Sequence, residues 1–247
     1  MNPKIFVIAR MGSSRLPGKV LMPLGDKTVL GMLIERMRMT IAGADIVLTT
    51  SVDPKDDPIV DFGMANDITV FRGSEADTVD RIYQAAKKNE ADPIVRVTGD
   101  CPFLQPKTVD DIINRFQQND VDYVSTDITP TYPNGMGCDA FSFSALQKIY
   151  QISKTLETDK AWEQLRSPEL GFRLGTISGP VNASHYRLTI DTQEDLDLAR
   201  CIADEIYSTT PNFTLEDIIK VLEKHPDWLE INAHIMQKTG PHALKSC

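Results

Sequence analysis

The stretch KIFVIARMGSSRLPGK, residues 4–19, carries the strongest sequence signal for the fold of the chain. Its first six residues, KIFVIA, form an apolar run rich in branched side chains, and a loop containing Gly and Pro follows directly. Short apolar runs that end in turn residues are typical of buried strands in parallel sheets. The stretch therefore predicts a buried strand whose carboxyl end leads into a basic, glycine-containing loop.

Apolar runs of strand length alternate with helical patterns as far as residue 125. Such alternation is typical of an α/β protein, in which helices cover both faces of a parallel sheet. We therefore predict an α/β fold of the Rossmann type with a mostly parallel sheet flanked by helices. The further predicted strands lie at 45–50, 68–71, 93–97 and 121–125, and the predicted helices at 28–41, 57–65, 76–89 and 106–118.

The alternation weakens after residue 126, where the loop TPTYPNGMG precedes residues 138–143. No linker, internal repeat or low-complexity segment interrupts the chain, so we expect one domain over 1–247. Within it we expect an acceptor-side and dimerisation insertion at about 126–190 and C-terminal helices within 208–247. The remaining predicted elements are helical stretches bracketing 156–165, strands at 172–177 and 186–190, and helices at 192–207, 214–224 and 226–237.

The amino-acid composition argues against several classes of protein function. The 247 residues are 41% hydrophobic and carry a formal net charge of -9, which argues against nonspecific binding to nucleic acid. The four cysteines are scattered without paired spacing, so we expect reduced thiols. Neither a membrane span nor a signal segment is visible, which predicts a cytoplasmic protein. An anionic ligand must then meet a local cluster of cations.

Three cations, Arg10, Arg15 and Lys19, lie within the first loop. At the carboxyl end of a strand, such cations and closely approaching glycine backbone suit a polyphosphate. The loop is not a Walker loop, because Lys19 is followed by Val20 rather than by Ser or Thr. The alternative is that the loop is a solvated basic turn that binds no ligand. The net negative charge of the chain argues against this alternative. The other residues of this loop that we predict to contact the nucleotide are Met11, Gly12, Ser13 and Ser14.

The segment TGDCP, residues 98–102, places Asp100 at the same edge of the sheet as the basic loop. A hard cation such as Mg²⁺ is held by one or two carboxylates together with phosphate oxygens. Asp100 is therefore the first candidate metal ligand, and Thr98 and Gly99 are predicted nucleotide contacts. Capping of the helix at 106–118 is the alternative role, although Asp100 stands too far ahead of that helix for a simple cap.

A second acid, Asp191, follows the apolar run at 186–190. The segment DTQED at 191–195 is also typical of a helix start with acids in its first turn. Arg187 can meet an anionic acceptor or a departing phosphate, and an ion pair with Asp191 is an equally consistent role. The residues alone leave both roles open.

Taken together, these motifs resemble the cytidylyltransferases that make CMP-activated acidic sugars, a family that includes the Kdo and sialic acid synthetases. The resemblance is closest to the branch of spore-coat polysaccharide biosynthesis proteins, and it extends over nearly the whole chain. It implies the fold of nucleotide-diphospho-sugar transferases, CTP as co-substrate, Mg²⁺ as cofactor and a homodimer. The segments that carry it are ARMGSSRLPGKVL at 9–21, DDPI at 56–59, VFRGSEADTVDR at 70–81, IVRVTGDCP at 94–102 and YRLTIDTQEDL at 186–196.

The resemblance also implies roles for single residues. It makes Asp191 the second metal ligand beside Asp100. It places cytidine recognition in the first loop and in 70–81, where the backbone can approach a base or ribose. The nucleotide contacts that it implies are Ala9, Gly73, Ser74 and Arg81.

The implied acceptor pocket includes Tyr132, Asn134, Asp139 and Arg187. Relatives typically carry Pro-Asp-Gly-Leu-Asp-Val-Glu where this chain has PNGMGCD, residues 133–139. Two carboxylates of that pattern are therefore missing. Without them, the pocket repels an anion less strongly, so a phosphorylated or phosphonate acceptor is an alternative to a sugar acid.

These observations predict a cytidylyltransferase that transfers CMP from CTP to an acidic acceptor, with release of pyrophosphate, in surface polysaccharide or related biosynthesis. One alternative is a metal-dependent glycosyltransferase, which normally carries an Asp-x-Asp pair, whereas here Cys101 and Pro102 follow Asp100. The other is a noncatalytic nucleotide-binding sensor. Arg10, Arg15, Lys19 and Asp100 form the predicted catalytic set.

Overall fold

The computed structural model describes residues 1–43, 45–118, 120–207, 210 and 212–237. Strands and helices alternate along its amino-terminal half, as the sequence predicts. The strands are β1 (Lys4–Ile8), β2 (Pro23–Leu24), β3 (Lys27–Thr28), β4 (Ile46–Ser51), β5 (Thr69–Gly73), β6 (Ile94–Thr98), β7 (Tyr123–Ser125), β8 (Asp139–Phe141) and β9 (Leu174–Thr176). The helices are α1 (Val29–Met37), α2 (Asp57–Ala65), α3 (Thr78–Lys88), α4 (Pro106–Phe116), α5 (Phe143–Ile152), α6 (Thr158–Glu163), α7 (Gln193–Ile206) and α8 (Leu215–Lys224).

Seven of the described strands form one sheet, in the order β5-β4-β1-β6-β8-β7-β9. Every pair in it is parallel except the two pairs made by β8, which runs antiparallel between β6 and β7. The small hairpin of β2 and β3 lies outside this sheet and was not predicted. The prediction of a mostly parallel α/β sheet flanked by helices is confirmed.

Strand β1 lies in the middle of the sheet and fixes where the site forms. Ile5, Phe6 and Val7 are fully buried, because β4 and β6 flank the strand in parallel register. In that register, Ile8 lies opposite Thr49 of β4 and Thr98 of β6. The loops that follow these three strands therefore leave the sheet at one edge.

Asp56, the first residue of the DDPI segment, fastens the loop after β1 to the end of β4. One carboxylate oxygen accepts a hydrogen bond from the Met11 amide at 2.7 Å. The other accepts hydrogen bonds from the Ser51 amide at 3.0 Å and the Ser51 hydroxyl at 2.5 Å. Burial alone would raise the pKa of Asp56, but these hydrogen bonds outweigh it and lower that pKa. Asp56 therefore stabilises the loop as a buried carboxylate.

The antiparallel strand β8 is held by a buried ion pair. Arg96 of β6 donates two hydrogen bonds to the Asp139 carboxylate, at 3.0 and 2.5 Å, and the Tyr123 hydroxyl donates a third at 3.1 Å. The Arg96 guanidinium also lies 4.2 Å from the ring centre of Trp162. Because Asp139 is only 4% exposed, these partners take up its charge inside the protein.

Two of the predicted elements are wrong. Residues 186–190 form one isolated bridge, between Asn134 and Arg187, rather than a strand. Their backbone groups bond to loops instead: the Leu188 amide donates to the Asn134 carbonyl and the Ile190 amide to the Asp100 carbonyl. The segment is extended, but no neighbouring strand completes a ladder with it.

The predicted helix at 226–237 is a short 3-10 turn, Pro226–Glu230, followed by irregular turns as far as residue 234. His225 has a non-helical backbone, because the residue before proline is disfavoured in the α conformation. Beyond the turn, Asn232 bonds to distant residues rather than lying on a helical face. Of the C-terminal helices expected within 208–247, only α8 occurs in the described part, and residues 238–247 lie outside it.

The described residues contain no helix that is long and apolar enough to cross a membrane. Three cysteines, Cys101, Cys138 and Cys201, are free thiols, as the scattered spacing predicts. The fourth, Cys247, lies outside the described residues.

Removal of Asp139 should destabilise the fold, because Arg96 would keep a buried charge without its partner. We expect Asp139→Ala to lower the free energy of unfolding by about 3–5 kcal/mol in urea denaturation. The exposed pair of Asp122 and Arg173 gives a matched control, and Asp122→Ala should cost less than about 1 kcal/mol. Equal losses for the two variants would contradict a special role for the buried pair.

Asp56 should make stability depend on acid pH. Because folding lowers its pKa, its contribution is fully present above the unfolded value of about 4 and is lost as the pH falls through the folded pKa. We expect the unfolding free energy of the wild type to fall more steeply below about pH 4 than that of Asp56→Asn. Urea titrations at several pH values measure both slopes, and parallel slopes would rule out this role of Asp56.

Candidate active site

The loop after β1 folds around the carbonyl of Met11. The amides of Ser13 and Gly18 both donate to that carbonyl, at 3.0 and 2.9 Å. Gly18 has φ +74°, a left-handed conformation that favours glycine, and it directly precedes the 3-10 turn Lys19–Leu21. This turn aims Lys19 inward, whereas Arg10, Gly12 and Ser14 stay exposed at the edge of the sheet.

Lys19 lies between the two predicted metal ligands. Its ammonium nitrogen is 2.5 Å from Asp100 Oδ2 and 2.8 Å from Asp191 Oδ1. Asp100 follows β6, while Asp191 ends the extended segment that bonds back to the Asp100 carbonyl. The structure thus brings together three residues that the sequence analysis selected separately.

Opposite charges keep Lys19 and Asp191 ionised in this half-buried setting. Burial alone would lower the pKa of the Lys19 ammonium, but Asp100 and Asp191 outweigh it and raise that pKa. Burial alone would raise the pKa of Asp191, but Lys19, Arg15 and Arg187 outweigh it and lower that pKa. The site therefore holds fixed charges of both signs near neutral pH.

Two arginines complete the surroundings of Asp191. Arg15 Nη2 lies 2.8 Å from Asp191 Oδ2, and Arg187 Nη2 lies 3.0 Å from the same oxygen. Of the two roles left open for Arg187, the structure shows the ion pair with Asp191. In contrast, Arg10 is exposed and forms no ion pair with another described residue.

Arg81 lies against Gly73, the last residue of β5, and Ser74, which follows the strand. Its Nη1 donates to the Ser74 carbonyl at 2.7 Å, and its Nε and Nη2 are buried without a partner among the described residues. Burial and the nearby charge of Arg10 lower the pKa of Arg81. A Cβ at Gly73 would come within 2.9 Å of Arg81 Cγ, so glycine lets the backbone lie directly on the arginine.

The other predicted nucleotide contacts lie at the same edge. The Gly99 amide donates to the Ile8 carbonyl at 2.8 Å, and the Ala9 amide donates to the Thr49 carbonyl at 3.1 Å. Thr98 Oγ1 lies 3.0 Å from the Cys101 sulfur. These contacts tie the ends of β1, β4 and β6 together beneath the loop.

The predicted acceptor residues do not all meet. Asn134 and Arg187 form a backbone bridge, and both side chains donate to Gln237 Oε1. Tyr132 packs against a separate apolar cluster that includes Leu188. The Asp139 carboxylate is instead occupied by Arg96 and Tyr123.

Two carboxylates that were not predicted as site residues, Asp56 and Asp195, form hydrogen bonds with the site. Asp56 fastens the first loop, and Asp195 accepts hydrogen bonds from Arg187 and from the Asp191 amide. Asn232 also contacts Asp195, at 2.9 Å. In the sequence, Asp195 shows only the capping pattern of a helix start, and no pattern pointed to Asn232.

The donor set fits a cation that arrives with phosphate. No group of three or more His, Cys, Asp or Glu side chains in the described part of the chain is arranged to hold a metal ion. Asp100 and Asp191 nevertheless converge on one ammonium group. Magnesium needs only one or two carboxylates when phosphate oxygens and water supply the remaining ligands. These two residues therefore fit a magnesium ion shared with a nucleotide.

Comparisons with known proteins identify the family of the chain. The spore coat polysaccharide biosynthesis protein SpsF of Bacillus subtilis is 31% identical over 240 residues, covering 92% of this chain and 97% of the relative. The 3-deoxy-manno-octulosonate cytidylyltransferase of Flavobacterium johnsoniae is 28% identical over 243 residues, covering 80% and 97%. A cytidylyltransferase structure from Leptospira borgpetersenii superposes with a TM-score of 0.84 at 31% identity, covering 93% of this chain and 97% of the other.

The cytidylyltransferase family model matches residues 5–225, which include every segment that carries the resemblance. The match spans the loop after β1, both candidate metal ligands and the extended segment at 186–190. The resemblance inferred from the sequence motifs is confirmed, and the chain belongs to the cytidylyltransferase family of nucleotidyltransferases.

Proposed function

We propose that the protein transfers CMP from CTP to an acidic small molecule and releases pyrophosphate. The observation that carries this proposal is the ammonium of Lys19 between the carboxylates of Asp100 and Asp191. A site with fixed cations beside two carboxylates suits a nucleoside triphosphate that brings its own divalent cation. A purely acidic pocket would repel the triphosphate, and a purely basic pocket would repel the divalent cation.

Asp100 and Asp191 are the proposed magnesium ligands. When bound, magnesium would neutralise charge on the phosphate oxygens. Arg10 is exposed at the edge of the site and forms no ion pair with another described residue, so it is available to the triphosphate. The side-chain nitrogens of Arg15 and Lys19 lie within 2.8 Å of Asp191 oxygens. They would therefore lie close to a phosphate group whose magnesium ion is held by Asp191.

In the proposed reaction, an acceptor oxygen attacks the α-phosphorus of CTP. A bond forms between that oxygen and the α-phosphorus, a hydroxyl acceptor loses its proton to water, the bond from the α-phosphorus to the bridging oxygen breaks, and pyrophosphate departs. The residues of the chain contribute position and charge: the first loop holds the triphosphate in line, and its cations balance the charge of the departing pyrophosphate.

The nucleotide is proposed to lie between Arg10 and Arg81. The positive charges of Arg10 and Arg81 repel each other. In addition, Nε and Nη2 of Arg81 are buried without a hydrogen-bond partner among the described residues. A base and its phosphates bring acceptor atoms that relieve both costs. The backbone at Gly73 and Ser74 would then border the nucleoside, as the family resemblance implies.

The proposed acceptor is a sugar acid, or a phosphorylated or phosphonate compound used in surface polysaccharide or related biosynthesis. Support comes from the names of the relatives, one tied to spore coat polysaccharide and one to an octulosonate. Within the chain, Asn134 and Gly137 stand where relatives typically carry acids, which lowers the repulsion of an anion. The homodimer implied by the resemblance and the cytoplasmic location predicted from the sequence pattern stay predictions.

Replacement of Asp100 should stop the transfer of CMP. We expect Asp100→Asn to slow pyrophosphate release from CTP and Mg²⁺ by at least about a hundredfold, because a proposed metal ligand is lost. Release is measured with each of the four NTPs and a panel of sugar acids, phosphorylated acids and phosphonates. Asp61→Asn, an exposed acid on α2, is the matched control and should behave as the wild type. Tight CTP binding without pyrophosphate release from any acceptor would favour a nucleotide sensor instead.

Replacement of Arg81 should weaken nucleotide binding rather than metal binding. We expect Arg81→Gln to raise the Kd for CTP by about tenfold or more, because hydrogen bonds from a charged donor contribute about 1.5–3 kcal/mol each. Calorimetric titration with CTP and with UTP measures the effect, and Lys88→Gln on the exposed face of α3 is the control. An unchanged Kd for CTP in a folded Arg81→Gln variant would exclude Arg81 from the nucleotide site.

A further inference from the structure

Asp195 receives far more hydrogen bonds than a helix cap requires. Its carboxylate accepts from Arg187 Nε and Nη2, both at 2.8 Å, and from Asn232 Nδ2 at 2.9 Å. It also accepts from the amides of Asp191 and Thr192, at 3.0 and 3.1 Å. The Asp195 side chain is fully buried, so these donors, rather than bulk water, solvate its carboxylate.

The next helix provides an internal comparison. Both α7 and α8 begin with a capping box, formed by Thr192 with Asp195 and by Thr214 with Asp217. Asp217 fulfils the same capping role while its side chain is 32% exposed, and its further ion-pair partner is the neighbouring Lys220. Capping therefore explains neither the burial of Asp195 nor its contacts with Arg187 and Asn232.

Asp195 acts on Asp191 in two ways. It holds the Asp191 backbone directly, through the hydrogen bond from the amide. It also holds the Asp191 side chain indirectly, because Arg187 Nη2 donates both to Asp195 Oδ2 and to Asp191 Oδ2. The two-point pairing with Asp195 fixes the plane of the Arg187 guanidinium, and that plane sets the direction of the Asp191 carboxylate.

Charge leads to the same conclusion. With Asp195 present, the positive charge of Arg187 is shared between two carboxylates. Without it, the whole charge of Arg187 would fall on Asp191 and compete with any cation that binds there. Asp195 thus leaves Asp191 able to accept a metal ion.

Asn232 fastens this arrangement from the C-terminal part of the chain. Its Nδ2 donates to Asp195 Oδ1 at 2.9 Å and to the Arg187 carbonyl at 3.1 Å, and the residue is 5% exposed. Five residues further on, Gln237 accepts a hydrogen bond from Arg187 Nη1. The segment after α8 therefore contacts both members of the Arg187–Asp195 pair.

We propose that Asp195 and Asn232 are positioning residues for Asp191, and that together they set the affinity of the site for its divalent cation. This inference rests on the proposed role of Asp191 as a metal ligand. The inference gives the segment after α8, which contains Asn232, a function in the active site.

The test is the affinity of the full chain for Mn²⁺, measured by electron paramagnetic resonance titration without and with saturating CTP; a wild type that binds Mn²⁺ in neither condition would overturn the inference. We expect Asn232→Ala and Asp195→Asn each to raise the Kd for Mn²⁺ by about tenfold or more, since partners of metal ligands typically contribute 10–100-fold. Asn232→Ala changes no charge, so a weaker affinity there reports position rather than net charge. Asp217→Asn is the matched control, because it removes the capping acid of α8, and its Kd should stay within about twofold of the wild type.

Thermal unfolding of each variant separates folding from metal binding. A lower Tm together with an unchanged Kd for Mn²⁺ in Asn232→Ala would overturn the inference and leave both residues a structural role only. If the wild type binds Mn²⁺ through Asp191 but releases no pyrophosphate, the proposed CMP transfer fails while the positioning role stands. If the wild type releases pyrophosphate and Asn232→Ala binds Mn²⁺ as tightly as the wild type, the positioning role fails and the proposed function stands.

Discussion

The contact of one ammonium group with two carboxylates is the constraint on which the site depends. Lys19 comes from the loop after β1, Asp100 from the end of β6, and Asp191 from an extended segment outside the sheet. Half-buried charges of this kind are stable only when each has its partners in place. The surrounding structure meets that demand: Asp56 fixes the loop that carries Lys19, the Ile190 amide binds the Asp100 carbonyl, and Arg15 and Arg187 balance Asp191.

The sequence predicted those parts of the fold and site that depend on local pattern. Apolar runs that end in loops located β1 and β6, and the residues just after these strands proved to meet at one edge. The prediction was weaker wherever contacts between distant segments decide the outcome. Strand β8 inserts antiparallel between β6 and β7 through the Arg96–Asp139 pair, which no local pattern reveals. Residues 186–190 have the composition of a strand, but their backbone partners are loops.

Burial explains why Asp195 and Asn232 were not found from the sequence. In the chain, Asp195 has the same capping pattern as Asp217, and only the fold distinguishes a fully buried carboxylate from a partly exposed one. Asn232 lies 37 residues beyond Asp195 in a stretch whose apolar spacing wrongly predicted a helix. Residues that position a site through other residues leave little trace in composition or spacing, because their role depends on packing geometry rather than on their own chemistry.

The separation of the charged groups along the chain bears on how the protein is made. Lys19 stands 81 positions from Asp100 and 172 positions from Asp191, and Asn232 follows later still. The loop that carries Lys19 therefore leaves the ribosome long before the carboxylates and the amide that complete its surroundings. Until Asp191 and Asn232 have both emerged, the growing polypeptide lacks partners of this charge cluster, so the site can form only after all of these segments have left the ribosome.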